Sequence, residues 1–349
     1  MSPDQNATQS QDSSPREDQT RANFRGRGWL SLKLDPWDLV AASGVVLSTA
    51  TLLGFLGGLS WFLDLFSHFR IQYLLGLLIT ATLLLFNRRR NAPAVFIGFA
   101  LVNLCTVAPF YLGNETPQLP GSHPRRALLM NVNTEKGSPT KVAGAIRDLH
   151  PEFVVLEEVS DRWISDLADA LREYPHSVSM PREDNFGIAV YSKHPFASSE
   201  IAQLGSEDLP SAVVEVNLPE GRVTLIATHP LPPSGRENSL SRNEQLEAVA
   251  ERVRQAKSPV LLLGDLNATP WCQPFKNLLN QSGLRNGPRG AGLRPTWPTY
   301  LPLFLIPIDH CLHTDGIILT GKTTGPNVGS DHLPLIVDFV LQGKAMPSN

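Results

Sequence analysis

The sequence predicts an α+β domain carried behind three membrane-spanning helices, and three observations predict it. Residues 39–112 are overwhelmingly apolar, in three runs with charges only between them. Residues 125–342 alternate short apolar, strand-like segments with amphipathic helical ones. Several of those strand-like segments begin or end in side chains able to do chemistry: Asn131, Glu158, His229, Asp265 with Asn267, Asp309, and Asp331 with His332.

At 349 residues the chain is too long for one ordinary domain. Composition divides it into a polar tail over 1–34, an anchor over 35–113, a linker over 114–124, a globular domain over 125–342 and a short tail over 343–349. The first tail mixes both charges and has few apolar residues, so it reads as disordered, and no apolar core follows it closely enough for a secretory signal. The runs Leu39 to Phe62, Ile71 to Phe86 and Ala92 to Leu112 suit a hydrocarbon core of ~30 Å at about 1.5 Å per residue, the second being the shortest. Gly54, Gly57 and Gly58 suit close helix contact. Buried helices of a soluble all-α domain are the competing explanation, and three such runs in succession argue against it. No charge pair lies within the runs, which argues against a transporter.

Basic residues set the orientation. Arg16, Arg21, Arg25, Arg27 and Lys33 lie in the tail and Arg88, Arg89 and Arg90 follow the second run, whereas only His68 and Arg70 lie between the first two. Tail and second loop are therefore expected in the cytoplasm. Three crossings then make the protein a multi-pass component of the cytoplasmic (inner) membrane, with an extracytoplasmic domain. Arg125 and Arg126 pull weakly the other way.

The domain begins with an apolar strand ending at Asn131. Ser138 and Pro139 open a helix buried through Val142, Ile146 and Leu149. Phe153 to Leu156 is a second strand. Ser160 caps a helix with Trp163, Ile164, Leu167 and Leu171 on one face. Strands follow at 187–191, 212–218 and 222–228, then a long helix over 241–256. Pro259 to Leu263 is a continuous apolar run, hence a strand buried on both faces. It stops at Gly264, and period-two alternation puts Asp265 and Asn267 on one side of the chain with Leu266 on the other. On this stretch alone an Asx turn and a rigidly held catalytic pair are equally good explanations. Further strands lie at 306–312, 316–319 and 333–341. If the polar strand ends converge, they form an oxygen-rich pocket with histidines, suited to Mg²⁺ or Mn²⁺ and to phosphoester hydrolysis.

In order, Leu128-Leu129-Met130-Asn131-Val132, Leu156-Glu157-Glu158-Val159, Thr228-His229, Gly264-Asp265-Leu266-Asn267-Ala268, Ile308-Asp309-His310 and Gly329-Ser330-Asp331-His332-Leu333-Pro334 resemble the motifs of the endonuclease/exonuclease/phosphatase (DNase I-like) superfamily. Its members include nucleases, abasic-site endonucleases, inositol-polyphosphate 5-phosphatases and neutral sphingomyelinases. Each motif alone is weak; the ordered set over about 125–342 is specific. The arrangement also looks like bacterial proteins that place this domain behind a few transmembrane helices.

The resemblance implies a four-layer α/β/β/α sandwich. It implies Glu158 as the main metal ligand with Asn131 beside it, Asp331 as a metal or water ligand, Asp265 activating water and Asn267 holding the phosphate or that water. It implies His332 on the scissile phosphate, Asp309 fixing the tautomer of His332, and His229 as a second phosphate contact. Three positions depart from the pattern: Glu157 stands for the usual Gln, Met130 for an aromatic residue and Pro307 for a basic one.

The resemblance implies a phosphodiester or phosphomonoester as the substrate. The domain is mildly acidic, with 21 basic and 25 acidic side chains over 121–349, which does not favour nucleic acid. A loop with Arg285, Arg289, Arg294, Trp297 and Tyr300 is either a nucleic-acid groove or an ordinary surface loop. A lipid or headgroup phosphodiesterase fits equally, and no protein partner is indicated. A non-catalytic membrane adaptor that kept the fold is the alternative, disfavoured by the completeness of the motifs. Cys272 and Cys311 each follow a motif and are either a disulfide or two buried thiols.

Overall fold

The computed structural model describes residues 35–88, 91–113, 124–287 and 290–342. The two expected tails, nearly all of the linker, Arg89, Arg90 and Arg289 lie outside the described residues.

Asp35 caps α1 (Pro36–Leu53), accepting from the Trp37 N–H, with Pro36 at the first turn. The chain then tightens into a 3₁₀ segment, Gly54–Leu59, and turns back through a short α2 (Trp61–Leu65). The return helix α3 (Arg70–Phe86) and α4 (Ala92–Val107) complete the apolar N-terminal helical region, the expected anchor. Two stretches, Pro36–Leu59 and Ala92–Phe110, are long and apolar enough to cross a membrane. The second expected span is not: α3 has 17 residues, because it starts only at Arg70, whose guanidinium donates to the Thr51 carbonyl at 3.0 Å. At about 1.5 Å per residue it falls short of a ~30 Å core. The glycine expectation also shifts. Close helix contact is made by Gly44 against Phe96 and by Gly76 against Leu47, while Gly54 and Gly57 sit where the hairpin folds onto Phe66 and Asp64.

The domain opens with β1 (Arg125–Asn131), α5 (Pro139–Leu149), β2 (Phe153–Glu157) and α6 (Asp161–Asp166), the last shorter than its apolar pattern suggests. Then come β3 (His176–Met180), β4 (Ile188–Ser192), β5 (Phe196–Gln203), β6 (Pro210–Leu218) and β7 (Gly221–Thr228). Next are α7 (Arg236–Gln255), β8 (Val260–Asp265), α8 (Gln273–Ser282), β9 (Asp309–His313), β10 (Ile317–Thr324) and β11 (Leu335–Leu341). They form a six-stranded sheet ordered β10-β11-β1-β2-β4-β3 and a five-stranded sheet ordered β5-β6-β7-β8-β9.

Alternation along each strand builds four layers. Leu129, Val155, Val214, Leu225, Leu263 and Val337 pack between the sheets. The odd-even partners Leu128, Met130, Val154 and Leu156 pack on Val142, Ile146 and Trp163, and Ile226 and Leu262 pack on Leu246, Val249, Phe275 and Leu278. Burial on both faces explains the continuous apolar runs. Cys311 lies in the inter-sheet layer and Cys272 under α8; both are free, buried thiols.

Topology alone gathers the polar ends. β1 and β2 run parallel, as do β7 and β8, so Asn131, Glu158, His229 and Asp265 leave one edge of the sandwich. β9 pairs antiparallel with β8 and Asp309 lies opposite Asp265; β11 pairs antiparallel with β1, which puts His332 at the same edge.

One side chain joins the two sheets at that edge. Glu157 is fully buried, and its Oε2 accepts from the Asp265 N–H at 2.9 Å. Gly264 permits the approach, since a Cβ there would lie 2.1 Å from the Thr228 carbonyl and 3.2 Å from Glu157 Oε1. Burial, with Asp265 adding, pushes the Glu157 carboxyl well above its ordinary 4.5, toward the neutral form.

Holding that proton costs nothing below pH 4.5 and about 1.4 kcal/mol per pH unit above it, until the raised pKa is reached. Glu157→Gln should therefore raise the thermal midpoint of the detergent-solubilised protein, by more at pH 8 than at pH 5. Equal shifts at both values would show that Glu157 is ionised in the folded state.

Candidate active site

Asp265 ends β8 and turns the chain: its Oδ1 accepts from the Asn267 N–H at 2.9 Å, and Asn267 takes φ +47°, a conformation asparagine tolerates well. Both readings of this stretch therefore hold at once, because the Asx turn is what aims Asn267. The Asn267 Nδ2 donates to the Pro230 carbonyl at 3.0 Å and lies 3.4 Å from His229 Nε2. From outside the sheet, buried Arg242 of α7 donates to the Asn267 carbonyl at 2.9 Å, and His310 donates to the Ala268 carbonyl at 2.7 Å. The loop is gripped from three sides.

Asp309, His332 and Asp265 form a line. His332 Nδ1 donates to Asp309 Oδ2 at 2.8 Å, and Nε2 lies 3.6 Å from Asp265 Oδ2. His229 Nε2 is 3.5 Å from the same oxygen. Burial works against a charged His332, but Asp309 and Asp265 outweigh it and raise the imidazole to about 10. Burial raises Asp265 to about 8, with His332 opposing and Asp309 adding to the shift. Burial, helped by His332, holds His229 neutral, its pKa lowered to about 4. Two imidazoles thus flank one carboxylate, one a cation and one not.

Glu158 stands just beyond β2 at φ +60°. Its Oε1 accepts from Asn131 Nδ2 at 2.9 Å and its carbonyl from the Thr134 hydroxyl at 2.8 Å. Asn131 is itself oriented by the Asn133 N–H, which donates to its Oδ1 at 3.1 Å. Asp331 accepts from Asn133 Nδ2 at 2.7 Å and from the Trp297 indole at 3.1 Å; burial opposes its ionisation, but these bonds and His332 hold it below the usual carboxylate range. Burial raises Glu158, with Asn131 and His332 opposing and Asp331 adding.

Glu158, His229, Asp265, Asn267, Asp331 and His332 line one pocket of about 540 Å³. Asn131 and Asp309 stand behind it as supports for Glu158 and His332. All eight expected residues are therefore brought to one edge. Four carry carboxyl groups, of which Asp309 and Asp331 are held toward the ionised form while burial raises Asp265 and Glu158. The donors are hard oxygens and ring nitrogens without a thiolate, a set that fits a divalent cation. Asp265, Asp309 and His332 offer ligand atoms within 4.8 Å of one another. His332 already gives Nδ1 to Asp309 and both Asp331 oxygens accept hydrogen bonds, whereas Glu158 has only its Oε1 engaged, by Asn131.

Sequence reading did not single out Arg242, Asn133 or His68. The signal for Arg242 is an arginine on the buried stripe of α7, beside Leu246 and Val249. Asn133 is two residues past the motif Asn. His68 carries no sequence signal, because its place depends on how the anchor docks.

The endonuclease/exonuclease/phosphatase family model matches residues 128–332, more than half of the chain. No curated protein matches the sequence. Among solved structures, an endonuclease/exonuclease/phosphatase from Beutenbergia cavernae is 22% identical over 62% of this chain and 72% of its own, with a TM-score of 0.52. Truncated Caenorhabditis elegans TDP2 is 18% identical over 62% and 98% of the two chains, with a TM-score of 0.51. The human Nocturnin catalytic domain, solved with a bound sulfate anion, is 18% identical over 62% and 94%, with a TM-score of 0.50. These likenesses concern the fold. With the family match over the strands that carry the site, they make the chain a member of the endonuclease/exonuclease/phosphatase family.

Proposed function

We propose that the protein is a membrane-tethered, divalent-metal-dependent phosphoesterase that hydrolyses its ester with activated water. The observation that carries this reading is the Asp309–His332–Asp265 line facing Glu158 and Asp331 across one pocket. Asp265, poised at about 8, accepts the proton of the attacking water. Asn267 orients that water or a phosphate oxygen. His332, held as an imidazolium by Asp309, donates to a phosphate oxygen as charge builds in the transition state. His229, neutral, offers a second hydrogen bond. Glu158 and Asp331 would hold Mg²⁺ or Mn²⁺, with Asn131 orienting Glu158. The cation, when bound, supplies neutralisation of the phosphate oxygens.

Membrane tethering is supported by the two long apolar helices and by the connectivity. The 54–69 hairpin and the end of α4 both meet the domain: Gln273 N–H donates to Asp64 at 3.0 Å, and the Trp271 indole donates to the Thr106 carbonyl at 3.1 Å. The start of α1 and the α3–α4 turn then fall at the opposite end. This agrees with a domain outside the cytoplasm.

Hydrolysis of bis-p-nitrophenyl phosphate by the detergent-solubilised protein with Mg²⁺ should disappear on adding EDTA. Asp265→Asn should lower kcat by about 10²–10⁴-fold. Asp309→Asn, which leaves His332 in place but removes its counter-charge, should cost about 10–100-fold. No metal-dependent turnover of any phosphate ester would contradict the reading. A reporter active only outside the cytoplasm, fused at Asn349, should be active; a silent reporter would place the domain in the cytoplasm.

A further inference from the structure

The catalytic pocket is not closed by the catalytic domain alone. Leu65, His68 and Phe69, from the hairpin between the first two anchor helices, form its wall opposite Glu158, Asp265 and His332. We propose that the anchor is part of the active site, and that the ester hydrolysed there belongs to a membrane amphiphile. Its phosphate lies at the strand-end cluster and its apolar portion lies against Leu65, Phe69 and Ile306. This rests on the phosphoesterase reading above.

The wall is fixed in place. Buried Asp64 of α2 faces Arg242 at 3.5 Å, and Arg242 in turn holds the Asn267 carbonyl. Docking of the hairpin and placement of the catalytic loop therefore share one guanidinium.

The pocket's chemistry selects against nucleic acid. Phosphate backbones are bound through Lys and Arg, and neither lines it. Apart from the site residues the lining is largely apolar, with Phe186, Trp297 and Ile308 joining the hairpin residues. His68 is 5% exposed, and neither ring nitrogen has a partner among the described residues. A buried imidazole left unpaired is costly, so the bonding partner fits as the ligand. Burial, with Arg242 adding, lowers its pKa to about 3, and a neutral ring offers one donor and one acceptor to uncharged oxygens beside the phosphate.

A second apolar feature continues the wall. Tyr300, Leu301, Leu303 and Phe304 are exposed together, Leu303 at 86%. This loop is tied to α3 by Gln72, whose Nε2 donates to the Leu305 carbonyl at 3.0 Å. Gln72 lies in the first turn of α3, so the loop sits beside the apolar helices, at the end of them that meets the domain. Four large apolar side chains there suit insertion between lipids, beside a pocket that Ile306 enters.

The test uses the full-length protein in mixed micelles with two esters of one leaving group, methyl p-nitrophenyl phosphate and hexadecyl p-nitrophenyl phosphate. The hexadecyl ester should be preferred by about 100-fold in kcat/KM. Leu303→Asp combined with Phe304→Asp should abolish most of that preference while leaving the methyl ester unchanged. Equal kcat/KM for the two esters, or equal loss of both in the variant, would overturn the proposal. A photoactivatable hexadecyl phosphate in EDTA reads binding without turnover. Crosslinks at Phe69 or Ile306 support the surface, and crosslinks only elsewhere overturn it. Binding there without hydrolysis of either ester would instead sink the phosphoesterase reading alone.

Discussion

A single hydrogen bond between the two sheets sets the geometry on which the rest depends. Glu157, at the end of β2, receives the Asp265 N–H at the end of β8. The two strands belong to different sheets, and nothing in either sheet's own ladder fixes their relative height. This bond does, and it joins them one residue away from Glu158 on one side and at Asp265 itself on the other. The inter-sheet core holds the layers together, but apolar packing is non-directional and tolerates sliding that a hydrogen bond does not. Gly264 belongs to the same constraint, since a side chain there would strike the Thr228 carbonyl.

Around that clasp the electrostatics separate groups of one chemical type into different states. Glu157 is pushed toward its neutral form by full burial and by Asp265. Asp309 is ionised because His332 is its partner, and Asp265 lies between these extremes. His332 and His229 are both buried within reach of one Asp265 oxygen, yet only His332 has a carboxylate behind it. Acid and base assignments therefore come from neighbours rather than residue type. Arg242 extends the arrangement to the anchor, because one buried guanidinium meets both Asp64 and the loop carrying Asn267.

Much of this was legible in the sequence. The strands buried on both faces were readable from unbroken apolar runs such as Val260 to Leu263, and the site from polar residues at their ends. The edge strands β9 and β10 were readable too, but β3 and β5 were not. His176–Met180 and Phe196–Gln203 are edge strands that are polar and half exposed, so they carry no apolar pattern. The long helix begins at Arg236 rather than Ser241, since its first turn is polar and has no side-chain cap. The anchor's length was misjudged at α3, where Arg70 turns inward to Thr51. Glu157 stood out in the sequence only as a departure from the usual Gln, and its role as a bridge between the sheets shows only in the fold. The contacts of His68 and Arg242 depend on docking between segments about 170 residues apart, which local patterning cannot express.

The central claim is that converged strand ends form a cation site at Glu158, next to an Asp265 that activates water. An experimental structure of the full-length protein soaked in Mn²⁺, with anomalous scattering recorded at the manganese edge, tests it most directly. The account predicts an anomalous peak bonded to the Glu158 carboxylate and adjacent to Asp331. A peak bonded only to Asp265, Asp309 and His332, or no peak in the pocket, would contradict it.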